Sequence, residues 1–421
     1  MNKKICSVLS VIALMTLVSC AKTADNDGDR SFDGITLRLM AYNSESSRAT
    51  YLKYLEDSLP GVEIIYEFVS LDNFSNVLNA QLLAGQGPDI IEVGGDAKLL
   101  AKAGYLWNIT NQQFVEKYTE SGIAAFTVNG NVYATPMQSW FEGIFYNKKI
   151  FRENDVTIPK TFDQFIQLHK DLNAKGIKPQ TMGARSWEPM MKQSIGIVNN
   201  EFYAKAAGRD FDEKFDNGEA KLAEAWLPSV SEWYRMIEEN CLTPDMLGLS
   251  HEQALDEFAS GKAAMWECGP WDVNAIMEKN PDFELGMFPI PGLTEGVGWL
   301  VGGPGSGLAV NKASHNAIPA LKVLDMTATP EAQAALIKDN AGSSFLIGAD
   351  ADLGGIYADC AEALRLGYVY APWVSAWTAG NPIVEGYGKA LQEVLAGTKT
   401  VEQALKDADV INDTMRFAFE N

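Results

Sequence analysis

Ile35-Thr36-Leu37-Arg38-Leu39-Met40-Ala41 begins the segment that points to the fold class. Ile35, Leu37, Leu39 and Ala41 fall on one side and Thr36, Arg38 and Met40 on the other, the period of a strand. Asn43-Ser44-Glu45-Ser46-Ser47 then offers helix-capping side chains, and Tyr51, Tyr54 and Leu55 share the next helical face. Pro60-Gly61 ends that helix, and residues 62–68 read as a second strand. A helix starting near Asp72 carries Phe74, Val77, Leu78 and Leu82 on one face and stops at Gly85. Asp89-Ile90-Ile91-Glu92-Val93 is a short buried strand running into Gly94-Gly95-Asp96. Strand, helix, strand, helix and strand within about 60 residues predict an α/β layer on a mostly parallel sheet.

The same grammar recurs downstream. Thr161-Phe162-Asp163-Gln164, Ser250-His251-Glu252-Gln253 and Thr400-Val401-Glu402-Gln403 read as capping boxes opening helices. Strands are predicted over 262–267, 285–290 and 305–310, and Gly269-Pro270-Trp271 puts proline in the first turn of another helix. Gly302-Gly303-Pro304-Gly305-Ser306-Gly307 reads as a hinge, because glycine absorbs large backbone rotations. No Gly-Lys-Ser/Thr follows it, so it is not a phosphate-binding loop.

Outward from this body, the N-terminus carries Lys3 and Lys4, then fifteen uncharged residues from Ile5 to Ser19, then Cys20. That is the layout of a secretory signal peptide, and the run is shorter than the ~20 residues a spanning helix needs. Leu17-Val18-Ser19-Cys20 resembles a bacterial lipobox, which implies that Cys20 is lipidated and anchors the chain outside the cytoplasm. Residues 21–30 are small and polar and read as a flexible tether. Acidic residues outnumber basic ones 55 to 34, a formal charge of −21 that repels phosphate backbones and argues against nucleic-acid binding. Cys241, Cys268 and Cys360 are widely spaced and read as buried thiols, and His169, His251 and His315 make no metal set.

Taken in order, several segments resemble the family 1 extracellular solute-binding proteins, the maltose-binding-protein-like receptors of ABC importers. Residues 83–90 are similar to the family's Ala-Gly-x-x-Pro-Asp turn, and residues 129–136 to its Gly-x-x-Tyr-x-x-Pro hairpin. Residues 145–151 with 158–162 resemble its Tyr-Asn-Lys strand and proline-led helix start. Phe258-Ala259-Ser260-Gly261-Lys262-Ala263-Ala264-Met265, with Gly269 and Trp271 after it, is the most specific piece, and Gly397 with residues 400–405 resembles the C-terminal helix pair. The resemblance implies a type II-like two-lobed fold, each lobe a mostly parallel sheet flanked by helices, with ligand held between lobes. It places chain crossings near 141–146, 301–305 and 348–354. Expected boundaries are then 1–19 leader, 20–34 lipidated cysteine and tether, 35–143 plus 304–349 one lobe, and 144–303 plus 350–421 the other. A monomer with no cofactor, delivering a sugar to an importer permease, is the implied partner scheme.

A sugar presents apolar C–H faces and a hydroxyl rim, so aromatic plates and planar polar groups bind it. The chain has ten tryptophans. Trp140, Trp187, Trp271, Trp299 and Trp373 occupy loop or strand-end positions and are cleft candidates; for Trp271 and Trp299 the resemblance adds weight. Trp226 and Trp233 share a helical face and read as core, and Trp107 and Trp377 as packing. Polar candidates sit at strand ends, where open α/β sheets meet ligands: Asn43, Ser44, Glu45, Asp96, Glu142 and Glu267. The rivals are the same fold binding a peptide, polyamine or metal chelate, a secreted carbohydrate hydrolase, and a sensor or adhesin. A (β/α)₈ hydrolase fails on irregular strand spacing, and no nucleophile elbow or His-Glu-x-x-His is present.

Overall fold

The computed structural model describes residues 32–339, 342–348 and 355–420. The leader, Cys20 and residues 21–31 lie outside the described residues, as do residues 349–354 of the third expected crossing. Strands β1 (Ile35–Ala41), β2 (Val62–Phe68) and β3 (Ile90–Val93) lie where the alternation predicts them. A small hairpin of β4 (Thr127–Val128) and β5 (Asn131–Val132) precedes β6 (Thr135–Pro136). Next come β7 (Ser139–Asn147), β8 (Lys178–Thr181), β9 (Ala263–Cys268) and β10 (Leu285–Phe288). Last are β11 (Val301–Pro304) and β12 (Gly307–Val310).

These strands make two separate sheets and hence two lobes. The first has the order β2-β1-β3-β12-β6; the second runs β10-β7-β9-β8, with β11 also paired to β7. Alternation along each strand feeds a core on either face of its sheet. Leu37, Leu39 and Ile90 face one layer and Met40, Ile91 and Val93 the other. In the second lobe Ile144, Met265 and Phe288 face one layer, and Phe145, Trp266 and Met287 the opposite one. Trp226 and Trp233 are fully buried in the first of these, as their helical spacing predicts. Each such indole contributes about 4–6 kcal/mol of gross transfer free energy.

The sheets are more mixed than the expected mostly parallel arrangement. β1 pairs in parallel with β2 and β3, but β12 runs antiparallel to β3. In the second sheet only β8–β9 is parallel, while β7 opposes β9, β10 and β11. The cause is the route of the chain. β7 and β12 each enter a lobe from between the lobes and run away from it, whereas β1, β3 and β9 run toward it. An entering strand therefore opposes its neighbour.

The two passages pair with each other. Ser139, Trp140, Phe141 and Glu142 on β7 lie opposite Pro304, Gly303, Gly302 and Val301 on β11. The pairing continues as Gly305 N–H donates to Gln138 O (2.8 Å) and Met137 N–H to Ser306 O (2.9 Å). A third segment joins them, since Ser139 N–H donates to Ser343 O at 2.8 Å. The glycines here have a different purpose from the one the sequence suggests, because none adopts positive φ. At Gly302 a Cβ would lie 2.2 Å from Trp140 O and 2.7 Å from Phe141 Cα. Close backbone approach is what demands glycine.

Gly302→Ala should therefore destabilise the protein by about 1–3 kcal/mol, the cost of forcing an extra methyl into a packed site. Gly296→Ala, where a Cβ meets nothing within 4 Å, is the matched control. Thermal unfolding should show a fall of several degrees for the first variant, on the order of 2–4 °C per kcal/mol, and none for the second.

Candidate functional site

The C-terminal ends of β1 and β3 bring the first lobe's polar residues toward its neighbour. Asn43 Nδ2 donates to Glu92 Oε1 at 2.7 Å, and Arg48 Nη2 reaches the same oxygen at 3.0 Å. Arg48 and Glu92 are 2% and 1% exposed, so this ion pair is fully desolvated. Ser306 Oγ also donates to Glu92, and Arg48 Nη2 donates to Ser306 at 3.3 Å. The network thus ties β1 and β3 to the exit of β11. Asp96 begins the Ala97–Lys102 helix and accepts from Gly94 N–H at 3.0 Å; burial pushes its carboxyl up from the ordinary value. Ser44 caps the short helix Glu45–Arg48 by accepting from Ser47 N–H, and Glu45 stands exposed in its first turn. For these two residues the observed contacts are structural.

The second sheet and the strand that leads into it supply the aromatic part. Trp140 on β7 lies 6.5 Å from Trp271 and 5.8 Å from Trp373, centroid to centroid. Its indole N–H donates to Pro304 O at 3.1 Å, so it is fixed across the paired passage. Trp373 sits in the Pro372–Ser375 helix, 5% exposed. Trp271 folds back over Gly269, where a Cβ would lie 2.2 Å from the ring. The turn is braced by Asp272, which accepts from Cys268 Sγ (2.9 Å) and pairs with His251 Nε2 (2.9 Å). Burial opposes the His251 charge, but Asp272 outweighs it and raises the imidazole's pKa.

Beneath the indoles, period two places Glu142 and Glu267 on one face of the second sheet, 2% and 3% exposed. Lys192, from the Glu188–Val198 helix, pairs with Glu142 Oε1 at 2.5 Å and with Glu188 Oε1 at 3.5 Å. Its ammonium lies 5.4 Å from the Trp140 centroid and 5.5 Å from that of Trp271, within cation–π range. Burial works against that charge, yet Glu142, Glu188 and Glu267 outweigh it and raise the lysine's pKa. Glu267 is pushed well up, first by burial and then by Glu142. Its Oε1 has no hydrogen-bond partner.

Five of the candidates named above therefore gather in one place: Trp140, Glu142, Glu267, Trp271 and Trp373. Trp187 lies apart from them, at the start of the Glu188–Val198 helix, packed on Gly388. Trp299 is not brought to the group; it stacks flat on Tyr368, 4.8 Å away at 2°, at an isolated bridge with Ile290. Sequence reasoning missed Lys192, Arg48 and Glu92. The signal for Lys192 is legible in retrospect, as the one charge in the apolar run Pro189–Val198. Arg48 carries no such mark.

The lobes also touch away from the paired passages. Lys98 Nζ donates to Ser375 O (3.2 Å) and Ala376 O (3.0 Å), and Lys102 Nζ to Thr378 Oγ1 (3.2 Å). Lys98 thereby caps the last carbonyls of a short helix in the other lobe, while burial lowers its pKa. Past this contact lies a polar cavity of about 530 Å³ lined from both lobes by Asn129, Asn131, Tyr133, Asp216, Asn412 and others. It contains none of the indoles.

Comparison with known proteins agrees with this architecture. Residues 43–334 match the family described as bacterial extracellular solute-binding protein. A multiple sugar-binding protein of Streptococcus mutans is 27% identical over 325 residues, covering 74% of this chain and 76% of that one. Among solved structures, a chitin oligosaccharide binding protein superposes with a TM-score of 0.77 at 24% identity, over 91% of this chain and 100% of its own. The solute-binding protein RafE in complex with raffinose gives 0.75 at 21% identity with the same coverage. A family 1 solute-binding protein of Bifidobacterium longum subsp. infantis gives 0.69 at 20% identity, again over 91% and 100%. Two lobes joined by a paired passage, with an indole group beside it, and a family match over most of the chain lead to one assignment: this chain belongs to the bacterial extracellular solute-binding protein family.

Proposed function

We propose that the chain is the capture receptor of an ABC importer and that its solute is a mono- or oligosaccharide, bound between the lobes without cleavage. The observation that carries this reading is the trio Trp140, Trp271 and Trp373 set above the carboxyls of Glu142 and Glu267. Indole faces suit the C–H side of a sugar ring, and carboxyls suit its hydroxyl edge. The names of the streptococcal relative, of the raffinose complex and of the chitin oligosaccharide binding protein support the same cargo. Asp96 and Asn43 would complete the site from the first lobe, with Trp187 at its margin; Ser44, Glu45 and Trp299 have weaker claims on present contacts.

In this reading residues 35–143 plus 304–349 make one lobe and 144–303 plus 350–421 the other. Residues 1–19 are removed as a leader, and Cys20 is lipidated, so that residues 20–34 tether a monomeric receptor to the outer face of the cell membrane. Among the described residues no helix is long and apolar enough to cross a membrane. Closure follows from linkage: a guest contacting both lobes favours the state in which they meet. The excess of acids around the site favours one rival, a polyamine, enough to include it in the test.

A saccharide panel with spermidine as comparator, read by tryptophan emission and melting temperature, tests the cargo. A shift with a neutral sugar at micromolar concentration is expected, with the sugar recovered unhydrolysed; a response to spermidine alone overturns the assignment. Trp271→Ala should weaken that sugar about thirtyfold, the scale of about 2 kcal/mol for an aromatic anchor. Lys98→Ala should loosen closure instead. Losing two contacts of about 0.5–1.5 kcal/mol each should lower affinity roughly tenfold and enlarge the ligand-free radius of gyration in X-ray scattering.

A further inference from the structure

Glu267 is one of several buried side chains that leave a polar atom unpaired, and it lies under the indole group. It is 3% exposed, and its Oε1 is left without a partner. An orphaned, desolvated carboxyl oxygen costs free energy that an apolar side chain of similar size would not. Its surroundings are charged from two elements: Glu142 on β7, and Lys192 and Glu188 on the Glu188–Val198 helix. Lys192 is the cation paired with these acids, committed to Glu142 at 2.5 Å and Glu188 at 3.5 Å, while His251, which Glu188 also influences, is paired with Asp272. It also fills the gap between the Trp140 and Trp271 rings. The floor under the indoles therefore has a spare carboxyl oxygen and no spare cation.

We propose, resting on the saccharide reading, that Glu142, Lys192 and Glu267 select the charge class of the sugar. An uncharged sugar is taken through a hydroxyl or acetamido N–H at Glu267. A uronic or other acidic sugar is refused, because its carboxylate would meet the charges of Glu142 and Glu188, whose lysine is occupied. Lys192 sets the opposite boundary. By neutralising Glu142 and occupying the cation–π position, it keeps an amino sugar from using the same indoles as an ammonium cage. Burial and Glu142 both favour the protonated form of Glu267, which suits a group that must both accept from and donate to hydroxyls.

Calorimetry on the purified protein tests this with raffinose, N,N′-diacetylchitobiose and galactose as neutral probes, galacturonate as the acidic one and galactosamine as the cationic one. The protein should bind at least one neutral probe and bind galacturonate at least about a hundredfold more weakly, the size expected for uncompensated like charges. Lys192→Met should shift the ratio of galactosamine to neutral-probe affinity by about tenfold or more toward the amine. Glu267→Gln should weaken the neutral probe by about tenfold while raising the melting temperature, more at pH 8 than at pH 5. The sign follows from linkage: a carboxyl whose pKa rises on folding costs more stability as pH climbs above its unfolded value, and glutamine has no such cost. Galacturonate binding as tightly as the neutral probe, or an unchanged amine ratio in Lys192→Met, overturns the selector and leaves the saccharide reading standing. A response to none of the five probes while spermidine binds overturns both.

Discussion

The antiparallel pairing of Ser139–Glu142 with Val301–Pro304 is the constraint from which most of this structure follows. It fixes the direction in which the chain enters each lobe, and so makes β7 and β12 oppose their neighbours. It brings Trp140 and Glu142 to the base of the indole group. It also requires glycine at 302, where the backbones leave no room for a side chain. Arg48 and Glu92 then fasten the pairing to the first sheet through Ser306, in an ion pair that water does not reach. A desolvated pair of this kind adds little net stability, but removal of either partner strands the other charge.

Two sets of buried charge serve different ends. Arg48 and Glu92 share Ser306 and Asn43, and their hydrogen bonds stay within the first lobe. Around Lys192 the Glu267 Oε1 is left without a hydrogen-bond partner, and two indoles stand beside the ammonium. Each set leaves buried polar atoms unpaired, Arg48 Nε and Glu92 Oε2 in the first and Glu267 Oε1 in the second, so the difference between them is the pair of indoles beside Lys192.

Much of the fold was legible because its signals are local. Ile35–Ala41, Val62–Phe68 and Ile90–Val93 announce themselves by alternation or by a short apolar run. The boxes at Ser250 and Thr400 form as read. At Thr161 the cap forms but Gln164 turns instead to Lys160 N–H, since its partner depends on how the preceding loop bends. Strand direction was not legible, because it depends on where the chain crosses between lobes, a property of no single segment. The gathering of indoles was legible where an aromatic residue broke helical spacing, as at Trp271 and Trp373. Lys192 was not legible, since its role arises only when a helix is laid across a sheet whose acids lie over a hundred positions apart in one case.

Trp140 and Glu142 belong to the very strand that joins the lobes. If the proposed site is the binding site, recognition and articulation share one piece of backbone, and a change of cargo at those two positions would disturb the joint. The Pro372–Ser375 helix meets the first lobe through Lys98, whereas the Glu188–Val198 helix takes part in neither that contact nor the strand that joins the lobes. Diversification toward new cargoes has its open ground on that helix, which can change while the joint keeps working.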